Sequence, residues 1–292
     1  MFYLPYFWSS KILSHRFTRV CSRISSMTES KIRKRIFDIN LGPVRNKTRK
    51  KSAILLTDSK GKYISEQIST ESFLDFQIAS KPSIKIETPE TAEFIWSILK
   101  NLLQYQDKAI IFLWLGTCDF TIKSHTTKLI TLRYTTLNYK TRIQKLIDCL
   151  LKYKRQIETR YKYSRVILLE CPPVSIIRHN KDKGHKHPEI FHNQNEKLEK
   201  QLKLFNSLVQ DINLSCCPKA KNTVQFIYMS PNFTKDIHVL HKTKGSKGSK
   251  GKNRIIQYYI NYPLLLDGVQ PSELLSKLWL RRICNKIALL CY

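Results

Sequence analysis

From Ser52 onward, short apolar runs alternate with stretches whose apolar residues recur at helical spacing. SAILLT (52–57) is a continuous apolar run and predicts a buried strand. GKYISEQIST follows as a helix, and FLDFQIAS (73–80) predicts a second strand. Residues 90–105 carry apolar positions at helical spacing. AIIFLWLG (109–116) predicts a third strand, apolar on both faces and therefore central in a covered sheet. A long helix is expected over 141–161, with Ile143, Leu146, Ile147, Leu150 and Leu151 as its buried stripe.

Residues 164–171 predict a fourth strand, and PPVSIIRHNKDKGHKHPE reads as a long loop. A helix with Leu198, Leu202, Phe205, Val209 and Ile212 on one face comes next, then a fifth strand over 223–229. The chain closes with NYPLLLDGVQPS and an amphipathic helix over 273–290. Such alternation implies an α/β sandwich with a mostly parallel five-stranded sheet and helices on both faces. Sites in these folds lie outside the carboxyl ends of the strands. That directs attention to Ser59, to GTCD (116–119) and to DGVQPS (267–272).

Charge adds a second theme. The 292 residues carry 51 Lys+Arg against 22 Asp+Glu, a net +29 that attracts RNA, DNA or an acidic membrane surface. The basic residues concentrate in two segments. One is the polar arm 29–51, with Lys31, Arg33, Lys34, Arg35, Lys47, Arg49, Lys50 and Lys51. It reads as a polyanion-binding arm or as a solvated tail. The other is the Lys-Gly-Ser insertion 241–254, with Lys242, Lys244, Lys247, Lys250, Lys252 and Arg254, which cannot form a core. Tyr residues among the bases of LKYKRQIETRYKYSR (151–165) either stack on nucleic-acid bases or pack inward from a solvated helix face.

Residues 1–28 hold no acid and are rich in Ser and aromatics, the composition of a mitochondrial transit peptide. The alternative is an upstream extension with synthesis starting at Met27, which MTESKIRKR favours. The α/β domain is expected over 52–290. No run of apolar residues reaches membrane-spanning length. The eight cysteines form no CxxC pair, so they read as reduced thiols of an intracellular protein of cytoplasm or nucleus. Neither GxGxxG nor GxxxxGK[ST] occurs, which argues against a dinucleotide site or a P-loop, and no cofactor is expected. His185, His187 and His192 match no tight zinc spacing, and no metal site is expected.

The ordered set TDS after the first strand, GTCD after the third and DGVQ before the last helix resembles the SGNH/GDSL hydrolase family of esterases and lipases. WLGTCDFT and DGVQPSELLSKLWL are also similar to SGNH-like domains of mobile-element proteins. The resemblance covers about 52–287 and implies a three-layer, flavodoxin-like sandwich. It implies that Ser59 stands at the nucleophile's place, with Thr57 where the family has Gly; independently of the resemblance, a Ser that opens a helix is expected to cap it. The resemblance puts Asp267 at the position of the triad Asp and Gln270 at that of the His base. The oxyanion hole would then draw on Ser59, Ser83, Gly116 and Cys118, with Cys118 replacing the family's Asn.

These departures change the chemistry. Glutamine bonds like an imidazole but has no group that titrates near neutral pH. A serine hydroxyl without a base is a poor nucleophile. Three groups could substitute: Asp267 acting directly, a His of the 179–187 stretch (His179, His185 or His187) folding over the site, or Cys118 as nucleophile. Their plainer readings are a carboxylate out of reach, a solvated loop and an inert thiol. The expectation is therefore a non-catalytic fold that binds RNA or single-stranded DNA. Its alternatives are a weak or altered esterase or deacetylase acting on a small ester or acetylated substrate through Ser59, or a scaffold with a peptide or sugar pocket.

Overall fold

The computed structural model describes residues 48, 50–68, 76–104, 108–136, 138–215, 234–238, 256–260 and 262–292. The chain divides into Met1–Ile39 and Asn40–Tyr292, and every described residue belongs to the second unit. The expected fifth strand (223–229), the insertion 241–254, residues 1–28 and the basic arm up to Lys47 lie outside the described residues.

Four parallel strands make the main sheet: β1 (Ser52–Thr57), β2 (Phe76–Ser80), β3 (Ala109–Trp114) and, after two shorter strands, β6 (Arg165–Leu168). Their spatial order is β2-β1-β3-β6, with Ala53 opposite Phe76 and Ile110, and Ile110 opposite Arg165. Every residue of β1 and β3 is buried, as their unbroken apolar runs require of central strands. The helices between the strands are α1 (Lys60–Ser65), α2 (Pro89–Leu102) and α3 (Tyr139–Arg160). α4 (Ile176–Asp182), α5 (His192–Ser215) and α6 (Glu273–Cys291) follow β6.

Successive strand residues point to opposite faces, so each face has its own cover. Ile54, Leu56, Ile111 and Leu113 enter a core with Phe94 and Leu99 of α2, Ile143 and Leu146 of α3, and Leu202 and Phe205 of α5. Toward the other helix layer, Trp114 meets Trp279 of α6 edge-on, with ring centroids 4.9 Å apart. The result is an α/β fold with helices on both faces of a parallel sheet. No helix among the described residues is long and apolar enough to cross a membrane.

Three expectations are corrected. The stretch 172–189 is not a loop: it holds α4, whose Ser175 side chain accepts the Arg178 amide, and a 3-10 turn at Pro188–Phe191. Lys50 and Lys51 are not part of a free arm, since both amides donate to the Cys291 carbonyl at the end of α6. Two antiparallel ribbons also go beyond the predicted strands. One pairs β4 (Thr121–Lys123) with β5 (Ile130–Leu132), and the other pairs β7 (Thr234–His238) with β8 (Ile256–Ile260). In sequence, the basic insertion falls between β7 and β8.

The chain passes from β1 outward to β2, then returns past β1 to β3 and on to β6. The order therefore reverses between β1 and β3, and the crevice at their carboxyl ends is where such sheets hold ligands. Ser59 follows β1, and Gly116–Asp119 follow β3.

Candidate functional site

β1 ends at Thr57, and the chain turns at once into α1 through Asp58 and Ser59. α1 sits hard against the sheet: a Cβ on Gly61 would lie 2.4 Å from Thr57 Cγ2 and 2.6 Å from Ser80 Cβ. Only glycine permits that approach. Ser59 occupies the N-cap position, yet its side chain makes no cap bond. The expected capping role is thus corrected. Asp58 does that work, its Oδ1 accepting the Lys60 amide at 3.1 Å, and Ser59 Oγ is left for another partner.

That partner is Gln270, whose Nε2 donates to Ser59 Oγ at 3.3 Å across a separation of 211 residues. Gln270 is presented by a tight turn in which Asp267 Oδ1 accepts the amides of Val269 (3.0 Å) and Gln270 (2.8 Å). Gly268 allows this turn with φ +83°, and a Cβ there would meet the His179 amide and the Ser175 carbonyl of α4 at 2.6 Å each. Gln270 Oε1 is buried without a partner among the described residues. The structure therefore brings together Ser59, Gln270 and the turn of Asp267.

Asp267 is pulled two ways. Partial burial pushes its carboxyl up, but the His179 ring and the two turn amides outweigh that and hold it far below the usual carboxylate range. His179 is buried on α4, not solvated in a loop. Its Nδ1 lies 3.2 Å from the Asp267 carbonyl and 3.5 Å from Asp267 Oδ2, and its Nε2 lies 3.2 Å from the Lys128 carbonyl. Both nitrogens face oxygens that only accept, and neither bonds Ser59. His185 packs edge-on to Phe191, His187 lies beside Glu189, and His192 beside Glu196. Among the described residues no group of His, Cys, Asp and Glu is placed to hold a metal.

The expected oxyanion residues are spread more loosely. Gly116 and Cys118 follow β3, with Cys118 in a 3-10 turn, Thr117–Asp119. Burial, and after it the Asp58 charge, pushes the Cys118 thiol up to about 11. A thiol that holds its proton this firmly is a weak nucleophile at neutral pH. Ser83 is exposed in the turn after β2 with φ +62°, and no hydrogen bond joins it to Ser59.

The sequence reading passed over two groups. Lys60 is 1% exposed, and its Nζ lies 2.5 Å from both Asp58 Oδ2 and Thr117 Oγ1 and 5.1 Å from the centre of the Trp114 ring. It ties the end of β1 to the end of β3 beneath Ser59. Asp119 is the second: its two carboxylate oxygens accept the Ile86 amide at 3.1 and 3.3 Å. Burial pushes its carboxyl from the ordinary 3.8 to about 7, against the pull of the Ile86 amide and the Arg133 charge.

The folded state thus holds the Asp119 proton more tightly than the unfolded chain. This group's stabilising share is full below about pH 4 and is lost as pH rises through about 7. Asp119→Asn cannot titrate and should flatten that part of the pH dependence. Urea midpoints of both proteins at pH 5 and pH 8 check this, and equal slopes would show that Asp119 is not the group responsible.

No family model matches the chain, and no curated protein does. Among solved structures it is similar to a protein described as a platelet activating factor from Streptococcus pneumonia, at 12% identity over 96% of this chain and 100% of that one, TM-score 0.43. It is similar to a GDSL-like lipase from Parabacteroides merdae, at 11% identity over 82% of this chain and 98% of that one, TM-score 0.33. It is also similar to a carbohydrate esterase whose active site displays divergent catalytic and non-catalytic binding functions, at 14% identity over 61% of this chain and 71% of that one, TM-score 0.28.

Proposed function

We propose that Ser59, Gln270 and Asp267 form an SGNH-type site whose base has been replaced by an amide, and that the protein binds nucleic acid or a similar polyanion rather than hydrolysing esters. The observation that carries this reading is the 3.3 Å bond from Gln270 Nε2 to Ser59 Oγ. In a working triad an imidazole at that place takes the serine proton while a carboxylate holds the ring. An amide donor does the reverse: it gives a hydrogen to the serine oxygen and can accept no proton from it. Asp267 does not compensate, since its carboxylate is spent on two turn amides and on His179.

The binding half of the reading rests on the net charge of +29 and its concentration in two segments that carry almost no acid. Phosphate contacts from such segments give affinity with little sequence preference and a steep dependence on salt. The full-length protein should shift a single-stranded 20-nucleotide RNA at 50 mM salt and lose about two to three orders of magnitude in affinity by 200 mM. Removing 29–49 together with 241–254 should abolish the shift; that deletion spares Lys50 and Lys51, whose amides hold the end of α6. Salt-independent binding, or an undiminished shift after the deletions, would remove the basis of this reading.

A further inference from the structure

The tyrosines of LKYKRQIETRYKYSR divide in the structure. Tyr153 packs inward, its hydroxyl donating to the Ile86 carbonyl at 3.1 Å. Tyr161 is half-buried where α3 ends, and Tyr163, in the turn to β6, is 60% exposed. Each of these two outer rings has a cation beside it. The Arg160 guanidinium lies 5.8 Å from the centre of the Tyr161 ring and 5.6 Å from that of Trp96 on α2, and Lys108 Nζ lies 5.8 Å from that of Tyr163. A single exposed aromatic means little. Three rings attended by cations at one end of a sheet are a recognition surface.

That end is the amino end of the strands. Lys108 precedes β3 and the 161–164 turn precedes β6, and the Ala109 amide ties them by donating to Ser164 Oγ at 3.1 Å. The last residues of the basic arm enter the fold here. The Lys50 and Lys51 amides bond the Cys291 carbonyl, and the next amide, Ser52, donates to the Lys108 carbonyl at 2.9 Å. The six residues of β1, roughly 20 Å of strand, separate this end from Ser59. Lys162 and Arg165, on either side of Tyr163 in the chain, are exposed. The acid nearest them in α3, Glu158, is engaged, its Oε1 accepting from Lys154 Nζ and from the Val166 amide. On α2, Glu90 and Glu93 come before Trp96, and Lys100 follows it in the last turn.

Resting on the polyanion reading above, we propose that this end of the sheet holds a single strand of RNA or DNA. Unpaired bases stack on Tyr163 and on Arg160 where it lies over its two rings, and phosphates meet Lys108, Lys162 and Arg165. Charge alone would draw any polyanion. Exposed rings discriminate, because a single strand offers flat bases to stack on, whereas a duplex keeps its bases inside the helix and an acidic membrane surface has none. A guanidinium already held over two rings and an ammonium over a third lose less freedom on binding than solvated side chains would. Stacking accepts every base, so sequence preference is modest.

The test uses the full-length protein with a 20-nucleotide oligothymidine, the same strand lacking its bases, and a 20-base-pair duplex, each titrated at 100 and 200 mM salt. Tyr163→Ala should weaken oligothymidine binding about tenfold with its salt dependence unchanged, since no charge is lost, and Tyr163→Phe should keep the wild-type affinity. The baseless strand and the duplex should not respond to Tyr163→Ala. Arg160→Gln/Lys108→Gln should weaken oligothymidine binding and make its logarithmic salt slope shallower by about 1.4. Tyr163→Ala that leaves oligothymidine binding unchanged, or weakens all three ligands equally, would overturn the proposal. Loss of every shift on deleting 29–49 and 241–254 would in that case leave the polyanion reading standing. Wild-type protein that binds none of the three would overturn both. Oligothymidine still bound after those deletions, and released on adding Tyr163→Ala, would support this surface and overturn the assignment of binding to the two segments.

Discussion

Gln270→His should raise hydrolysis of a short-chain nitrophenyl ester by at least about a hundredfold over wild type, and adding Ser59→Ala should remove the gain. The wild-type protein should show no hydrolysis that depends on Ser59. The scale follows from serine hydrolases, where loss of the base costs about 10⁶ in rate. Recovery should be partial for two reasons visible in the site. Cys118 is a weak donor where an amide is expected, and a missing oxyanion donor costs about 10²–10³. Asp267 Oδ1 is taken by two turn amides, and its Oδ2 lies 3.5 Å from His179, so a new imidazole must compete for its orienting carboxylate. Adding His179→Gln or Cys118→Asn to Gln270→His should each increase the rate further. A serine-directed fluorophosphonate should label Gln270→His and spare wild type. Labelling of wild-type Ser59 would show that a base is present and that the amide reading of the site is mistaken.

Much of this site could be read along the chain because the sheet announces itself. β1 and β3 are six-residue runs with every position buried, and such runs have one place in an α/β fold. Once they are set side by side, Ser59 and Gly116–Asp119 fall together at their carboxyl ends. The resemblance singled out Asp267 and Gln270, but the turn that joins them, closed by the Asp267 carboxylate and opened by Gly268 at φ +83°, is a finding of the structure. α4 was not: it is seven residues long, too short for an apolar period, and it follows two prolines. What stabilises it is tertiary, including Asn180, whose side chain pairs with the Ile130 backbone in both directions. Missing α4 left His179 a residue of a solvated loop that could fold over the site, whereas the helix carries it inward onto Asp267.

Lys60→Met should destabilise the fold by about 3–5 kcal/mol, an effect that no surface lysine would produce. Beside Ser59 in sequence, this lysine reads as solvated charge. The structure turns it under the sheet's carboxyl end, where its ammonium meets Asp58, Thr117 and the face of Trp114. A buried ion pair contributes little compared with an apolar replacement of both partners, but removing one partner strands the other charge. Asp58 is itself 1% exposed, and without Lys60 Nζ its carboxylate keeps the Lys60 amide. Asp58→Asn should cost a similar amount by stranding the ammonium. Asp58→Asn/Lys60→Met should then be far less damaging than the sum of the two, because no unpaired charge remains. Urea unfolding of the four proteins closes this double-mutant cycle, and additive single effects would show that the two groups do not act as a pair. The same cycle bears on the site. Asp58 caps α1, Thr117 follows β3, and Lys60 joins them, so the pair holds the two strand ends on either side of Ser59. Lys60→Met placed in the Gln270→His background should therefore reduce the recovered esterase activity as well as stability. A variant that loses stability but keeps that activity at a temperature where it is fully folded would confine Lys60 to the core.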